Sequence, residues 1–590
     1  MGTSDIVPLY PGTSRRAAVR QRAEITSRGV ALLATVLFTT LVLLVGLQIR
    51  AWNGSVNADG ISYIELGAQY ARGDLSSLAN GYWSPLYPIL LGIAFRIAQV
   101  PAVDLSGSAI TSELRVVLAV NVAIAVLATV NYARLLLELA KSDNDIRSDA
   151  LRVARFAAAG ALWIWWIVRF SSITTTTPDL LLAACLAATM TELVIAAARP
   201  QKWGALRMGI AMAVGFWTKT VFFLVMPVSA GAYLLLVDRT TARRHAPLLI
   251  LTAAVLSAPL VFVQSASQGR FSFGETGRLN YGWYVNGEPR GTVVAESRAE
   301  SRDRNGRAGI IHMDAAPGVL LYSGASGVSF PYWYDPSRYE PPARPQLSVA
   351  NQWRTMRANA RWFRVVGGAF AALCLLALGI SCRRRHLSGS HILVGLPALT
   401  LVALHALTHP EGRLAGSAIV CSLAVVVFWP GRHRATAARR AIVLGEAATL
   451  CLIPIFIALR LNSQDSLREQ RARIGPEHDL ARAGVAPGSR IGVLASPYGH
   501  YWAHELGLHI AVAGEPSADS GPLSPELLSR IAEESCDRGV PLQAILWRKT
   551  RGASSIDAKE LAGGWLIWLP AQPCATRSAQ STTTASVSGT

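Results

Sequence analysis

Two neighbouring stretches decide the fold: VALLATVLFTTLVLLVGLQ (Val30–Gln48) and NADGISYIELGAQYARGD (Asn57–Asp74). The first carries no charge and is long enough to cross the apolar core of a bilayer, about 30 Å thick. Arg15, Arg16, Arg20, Arg22 and Arg28 precede it, so positive-inside bias puts the N-terminus in the cytoplasm. It is too long for a signal-peptide apolar region, and no small-x-small cleavage site follows Leu47, so it reads as a retained anchor. In the second stretch Gly60 is expected to break the chain after Asp59. Ser62–Ala71 then reads as a short surface helix with Tyr63 and Tyr70 on one face. Trp83-Ser-Pro-Leu-Tyr-Pro88 opens a second, apolar surface helix reaching about Ala98.

The rest of the chain agrees with a membrane setting. Hydrophobic residues make up 51% of the 590 residues, charged residues 16%, and mean hydropathy is +0.32. A soluble globular protein carries about 25% charged residues, so this chain cannot wet its own surface. The composition excludes disordered, collagenous and coiled-coil classes, and seven cysteines exclude a disulfide-dense secreted scaffold. The net charge of +19 reads as Arg-rich cytoplasmic loops facing anionic headgroups rather than as a nucleic-acid surface.

About eleven spans are expected: Val30–Gln48, Val116–Leu139, Val153–Val168, Leu180–Ala198, Met208–Trp217, Val221–Val237, Leu248–Val263, Trp362–Ile380, Ile392–Leu407, Leu414–Phe428 and Ala441–Leu459. Met208–Val237 is too long for one span and is basic at both ends, so it must be a hairpin whose turn, Trp217–Thr220, points outward. The parity then gives a cytoplasmic N-terminus and an outer C-terminus. The predicted organisation is a basic N-terminus (1–29), a membrane core (30–263) with an outer loop (50–114), a large outer loop (264–361) and C-terminal membrane helices (362–460). A small soluble α/β domain (462–570) and a disordered Ser/Thr-rich tail (571–590) follow. In that domain Arg490–Ser496, Leu508–Ala513, Ala544–Trp547 and Gly564–Leu569 read as strands and Ser524–Arg538 as an amphipathic helix, which suggests a largely parallel sheet. Cys536 and Cys574 could pair there; no C-x-x-C or zinc spacing occurs.

Four outer segments carry residues suited to chemistry. Asp59 in the first loop is either a helix cap or a working carboxylate. Asp179, after Thr174-Thr-Thr-Thr-Pro, either complements a helix dipole or joins a site. Lys219 in an apolar turn is a functional candidate or a snorkelling residue. In His409-Pro-Glu-Gly-Arg413, Glu411 and Arg413 either pair with each other or reach a substrate, and His405 and His409 read as interfacial polar residues. Tyr63, Trp83 and Tyr87, with Tyr281–Tyr284 and Tyr332–Tyr334, are sugar-stacking platforms or interfacial packing.

The order of these elements resembles the GT-C superfamily of polyprenyl-phosphate-sugar-dependent glycosyltransferases, which includes bacterial relatives of protein O-mannosyltransferases and the lipid A aminoarabinose transferases. The resemblance lies in Asp59 with Tyr63, the Trp83–Pro88 segment, Thr177-Pro-Asp179, the "G…G…T-K" of Gly209–Lys219, and Glu411-Gly-Arg413. It covers about Val30–Val263 by motif and the later spans by hydropathy. Gly412 departs from the family's late "E-R" element.

This resemblance implies transfer of a hexosyl or pentosyl group, with inversion, from a polyprenyl-phosphate donor to an acceptor in the cell envelope: a glycan, lipid or protein. Asp59 would act as general base or hold a divalent cation (Mg2+ or Mn2+) shared with Asp179. Arg413 and Lys219 would bind the donor phosphate, and Tyr63, Glu411, Trp83 and Tyr87 would position substrate. Membrane lipids are the remaining expected partners, and no nucleic acid is expected. The setting would be the bacterial inner or plasma membrane with the site on the extracytoplasmic face. The alternatives are a lipid-linked sugar flippase or transporter, a catalytically dead scaffold presenting its outer domain to cell-wall machinery, and a ligase-type GT-C enzyme using a diphosphate-linked glycan.

Overall fold

The computed structural model describes residues 35–52, 54–101, 110–142, 149–288, 310–322, 329, 335–336, 346–362, 389–428, 477–495, 500–516, 523–548, 558–561 and 565–570. The expected spans Trp362–Ile380 and Ala441–Leu459, the N-terminus 1–29, the tail 571–590 and Tyr332–Tyr334 lie wholly or almost wholly outside these residues.

Helix α1 is Thr35–Ala51; α2 (Ala58–Ala71) and α3 (Leu86–Ile97) follow it in the loop before α4. The bundle continues with α4 (Ser112–Ser142), α5 (Asp149–Phe170), α6 (Asp179–Ala198), α7 (Lys202–Thr218), α8 (Phe222–Leu236) and α9 (Arg239–Gln268). A short α10 (Thr276–Tyr281) and α11 (349–362) precede α12 (Gly389–Leu407) and α13 (Gly412–Val427). Among the described residues four helices are long and apolar enough to cross a membrane: α4, α6, α9 and α12. The expected hairpin is present, with α7 and α8 separated only by Lys219–Val221.

Helix α6 is the axis of the bundle. It is buried along 89% of its most apolar window and packs against α4, α7, α8, α12 and α13. Ala183, Ala184 and Ala187 line it, and small side chains let neighbouring backbones approach where no water drives association. By contrast α9 turns Ile250, Leu251, Val255 and Phe262 outward, as a lipid-facing helix does. Asp238 starts α9 by accepting from Thr240 and Thr241 N–H (3.0 and 3.1 Å), and left-handed Gly269 stops it.

Beside the helices the described residues form one seven-stranded sheet, ordered β1-β2-β4-β3-β5-β7-β6. Its strands are β1 (Ile310–His312), β2 (Val319–Tyr322), β3 (Arg490–Leu494), β4 (His509–Gly514), β5 (Ala544–Arg548), β6 (Lys559–Leu561) and β7 (Trp565–Trp568). Helices α14 (Glu477–Arg482), α15 (Tyr501–Glu505) and α16 (Pro525–Asp537) accompany it. Strands β3, β4, β5 and β7 fall close to where the sequence puts them, while β6 is not among the expected strands, and the sheet is not largely parallel. Only β4-β3-β5 is; the outer pairs are antiparallel. It also recruits β1 and β2 from the 264–361 loop, because Val319–Tyr322 is apolar on both faces and wholly buried against β4. Ser524 caps α16 by accepting from Leu527 N–H, and Leu527, Leu528 and Ile531 bury its apolar stripe. Cys536 on α16 is disulfide-bonded; Cys574 lies outside the described residues.

Candidate active site

Gly60 does not break the chain. It is helical, Asp59 lies in the first turn of α2, and Asn57 is the N-cap residue. A side chain at Gly60 would put a Cβ 2.7 Å from Asn57 Oδ1, 2.9 Å from Thr176 Cβ and 2.9 Å from Val56 Cγ1. The missing side chain lets the start of α2 press on the Thr174–Thr177 loop that feeds α6. That contact brings the start of α2, and Asp59 with it, against the N-terminal end of α6.

Asp179 opens α6 and is 1% exposed. Lys219 sits in the α7–α8 turn, its N–H donating to Gly215 O (2.9 Å). Its Nζ reaches Asp179 Oδ1 at 2.6 Å and stays 21% exposed. Thr220 N–H donates to Ser84 Oγ (3.2 Å), which ties this turn to the head of α3.

Arg413 lies in the first turn of α13. Its Nη2 meets Asp59 Oδ2 at 2.6 Å, its Nε meets Glu411 Oε2 at 2.6 Å, and Nη1 stands 3.8 Å from Asp179 Oδ2. His409 Nε2 lies 3.0 Å from Glu411 Oε1. The His409 ring stacks on Tyr284 at 3.9 Å with planes 7° apart. Gly412, the residue that departs from the family pattern, is what admits this arrangement. A Cβ there would fall 2.0 Å from the Phe170 ring, and one at Gly416 would fall 2.5 Å from Trp166. Trp166 Nε1 donates to Gly412 O (3.1 Å). A small-xxx-small face therefore seats α13 on α5 and aims Arg413 inward.

Asp59, Asp179, Lys219 and Arg413 meet in one cluster, and Glu411 pairs with Arg413 while Arg413 also reaches the carboxylates. For the aromatic residues the geometry is that of packing, the second of the two expected settings. Tyr63, Trp83 and Tyr87 are buried, with Tyr63 edge-on to Trp83 (5.0 Å) and Tyr87 (5.3 Å). Rings closed in this way offer no free face to a sugar. They support the floor instead: Tyr87 donates to Asn121 Oδ1 (2.7 Å), and Asn121 Nδ2 donates to Ile173 O (2.8 Å) in the loop that leads to Asp179.

The electrostatics follow from this packing. Burial pushes the Tyr63 phenol well above its usual range, and Asp59 and Asp179 add to the shift, so it remains a donor. Glu411 is pushed up by burial, but the His409 hydrogen bond and the Arg413 charge outweigh this and hold it below the usual carboxylate range. Asp59 and Asp179 do not stand as an open pair for Mg2+ or Mn2+. The Arg413 guanidinium spans from one to the other, and Lys219 holds the second. Among the described residues no group of three His, Cys, Asp or Glu side chains could hold a metal ion. The residues fit an ion-paired cluster rather than a metal centre.

One cluster escaped the sequence reading: Glu65 of α2, Glu113 of α4, and Tyr501 and His504 of α15 meet under the sheet. Its only local signal is an acid inside the otherwise apolar middle of α2. At the other end of α6, Glu192 pairs with Arg134 (3.0 Å) and Arg207 (2.8 Å), far from the site.

No protein-family model matches the chain, and no curated protein matches its sequence. Among solved structures it is similar to ArnT from Cupriavidus metallidurans in the apo state, with 13% identity, 90% of this chain and 97% of that chain covered, and a TM-score of 0.38. ArnT from the same organism bound to undecaprenyl phosphate gives 12% identity, coverage of 90% and 97%, and a TM-score of 0.37. The archaeal oligosaccharyltransferase AglB from Archaeoglobus fulgidus, in complex with an inhibitory peptide and a dolichol-phosphate, gives 11% identity, coverage of 87% and 69%, and a TM-score of 0.42. Scores at this level leave the functional reading to the geometry of the site.

Proposed function

We propose that the chain is an integral membrane glycosyltransferase moving a sugar, with inversion, from a polyprenyl-phosphate donor to an extracytoplasmic acceptor. One observation carries the reading. Asp59, Asp179, Lys219 and Arg413, drawn from four separate segments, meet at one end of an apolar bundle. A lipid-borne phosphate is confined to the headgroup plane, where such a bundle end lies. The disulfide at Cys536 suits an oxidising outer face.

In the resting chain Arg413 holds Asp59 at 2.6 Å. A phosphate oxygen arriving between Arg413 and Lys219 takes over their N–H donors and frees the Asp59 carboxylate. Asp59 then accepts the proton of the acceptor hydroxyl or amine as that nucleophile attacks the anomeric carbon from the face opposite the phosphate. The carbon–oxygen bond to phosphate breaks, and the polyprenyl phosphate leaves as an anion held by the same two cations, so no general acid is needed. Fixed cations where charge develops are worth about 2–4 kcal/mol each.

The test is turnover of polyprenyl-phosphate sugars by membranes containing wild type or Asp59→Asn. The Asn variant keeps the shape of the side chain and loses its charge. It should bind donor and transfer sugar about 10²–10⁴-fold more slowly. Transfer near the wild-type rate would remove Asp59 from the chemistry.

A further inference from the structure

The outer face holds a second buried charge cluster, distinct from the Asp59–Arg413–Asp179–Lys219 set. His504 of α15 is 15% exposed, and its two ring nitrogens face two carboxylates on the membrane core. Nε2 lies 3.0 Å from Glu113 Oε2 at the start of α4, and Nδ1 lies 3.6 Å from Glu65 Oε1 on α2. Tyr501, one helical turn earlier, donates to Glu113 Oε2 at 2.8 Å. Glu65 Oε1 also accepts from Ser329 N–H at 2.6 Å and from the Ser329 hydroxyl. Glu65 is 4% exposed, and its Oε2 is buried without a hydrogen-bond partner.

The two ring nitrogens point to separate carboxylates, and among the described residues no group of three His, Cys, Asp or Glu side chains could hold a metal ion. A protonated ring between two carboxylates satisfies the arrangement, with an N–H aimed at each. Glu65 and Asp59 share α2, about 9 Å apart along its axis. Whatever holds Glu65 therefore holds the helix that presents Asp59.

We infer that His504 is a positioning residue: it clamps the sheet domain to α2 and α4 and so fixes the catalytic helix, making the sheet domain part of the catalytic unit. The catalytic half of this statement rests on the proposed function; the clamp does not. Packing of α15 on α2 supplies the rigid path. The charge supplies specificity, because a buried carboxylate pair without its cation is strongly unfavourable.

Hydrogen–deuterium exchange of the full chain in lipid nanodiscs tests the clamp without any substrate. His504→Gln and Glu113→Gln should each raise exchange of the α2 amides about tenfold while β3 and β5 keep wild-type protection. Should His504→Gln deprotect β3 and β5 as well, Glu113→Gln, which alters no residue of the sheet domain, carries the decision. Unchanged α2 exchange in Glu113→Gln overturns the inference. In the donor turnover assay His504→Gln should lower kcat about tenfold and leave KM for the polyprenyl-phosphate sugar within about twofold. A rise in KM alone would make the sheet domain a binding element and overturn the positioning role. Loss of the α2 effect and loss of all wild-type turnover are separate results, so the clamp and the proposed activity fail independently.

Discussion

Replacing Lys219 by methionine should destabilise the chain more than replacing its partner Asp179 by asparagine. The ion pair is 2.6 Å long, with 21% exposure on the lysine and 1% on the aspartate. At an effective dielectric near 20 its Coulomb attraction is about 6 kcal/mol, most of it offset by desolvation. Lys219→Met leaves a carboxylate in the core whose Oδ2 already lacks a hydrogen bond and whose nearest cation is Arg413 at 3.8 Å. Breaking a buried pair from this side costs about 3–5 kcal/mol. Asp179→Asn leaves a lysine that can snorkel outward, so about 1–2 kcal/mol is expected. The double variant buries no lone charge and should recover to within about 1–2 kcal/mol of wild type, a coupling that a double-mutant cycle isolates. The assay is thermal unfolding in nanodiscs followed by tryptophan fluorescence, with donor turnover measured in parallel. Stability should return in the double variant and turnover should not. Additive stability losses would refute the pair as described, and full turnover in the double variant would remove both residues from the phosphate site.

Gly412→Ala should lower stability by about 1–3 kcal/mol, the range for overpacking, and cut turnover with it, because the added Cβ meets the Phe170 ring; thermal unfolding and donor transfer read both, and a neutral variant would show that α13 does not depend on this contact. Burial opposes the charge on His504, but Glu113 and Glu65 outweigh it and raise its pKa to about 10, with Tyr501 and Glu505 the other titrating groups of its helix. Because the folded pKa is raised, its contribution is full below the unfolded value near 6.5 and is lost as pH rises through about 10. A pH series of unfolding midpoints should show that decline in wild type and not in His504→Gln. In intact cells a membrane-impermeant thiol reagent should label Ser76→Cys, exposed between α2 and α3, and spare Gln201→Cys, exposed before α7; the reverse would turn the whole site to the cytoplasm.

The sequence by itself determined the membrane class, most of the helices described here, the hairpin at Lys219 and four strands of the sheet, β3, β4, β5 and β7. Each of these follows from the preference of a short segment for lipid, water or a turn, and such preferences are written locally. It also placed Asp59, Asp179, Lys219 and Arg413 on a shared short list, since charges at the ends of apolar segments are costly wherever they occur. Only the tertiary structure decided that they touch. The Asp59–Arg413 contact joins residues 354 apart in sequence, and it depends on glycines whose role is space. Gly60 reads as a chain breaker until Thr176 is seen against it, and Gly412 reads as a departure from a motif until Phe170 fills its open side. Tyr63, Trp83 and Tyr87 could be read as a binding surface or as packing, because an aromatic residue suits either setting, and the structure buries them against one another. The union of β2 with β4 and the seat of His504 between Glu65 and Glu113 were likewise closed to the sequence. Pairing of strands and charges across separate segments depends on which faces the packed bundle brings together, and residue patterns along the chain do not encode that distance.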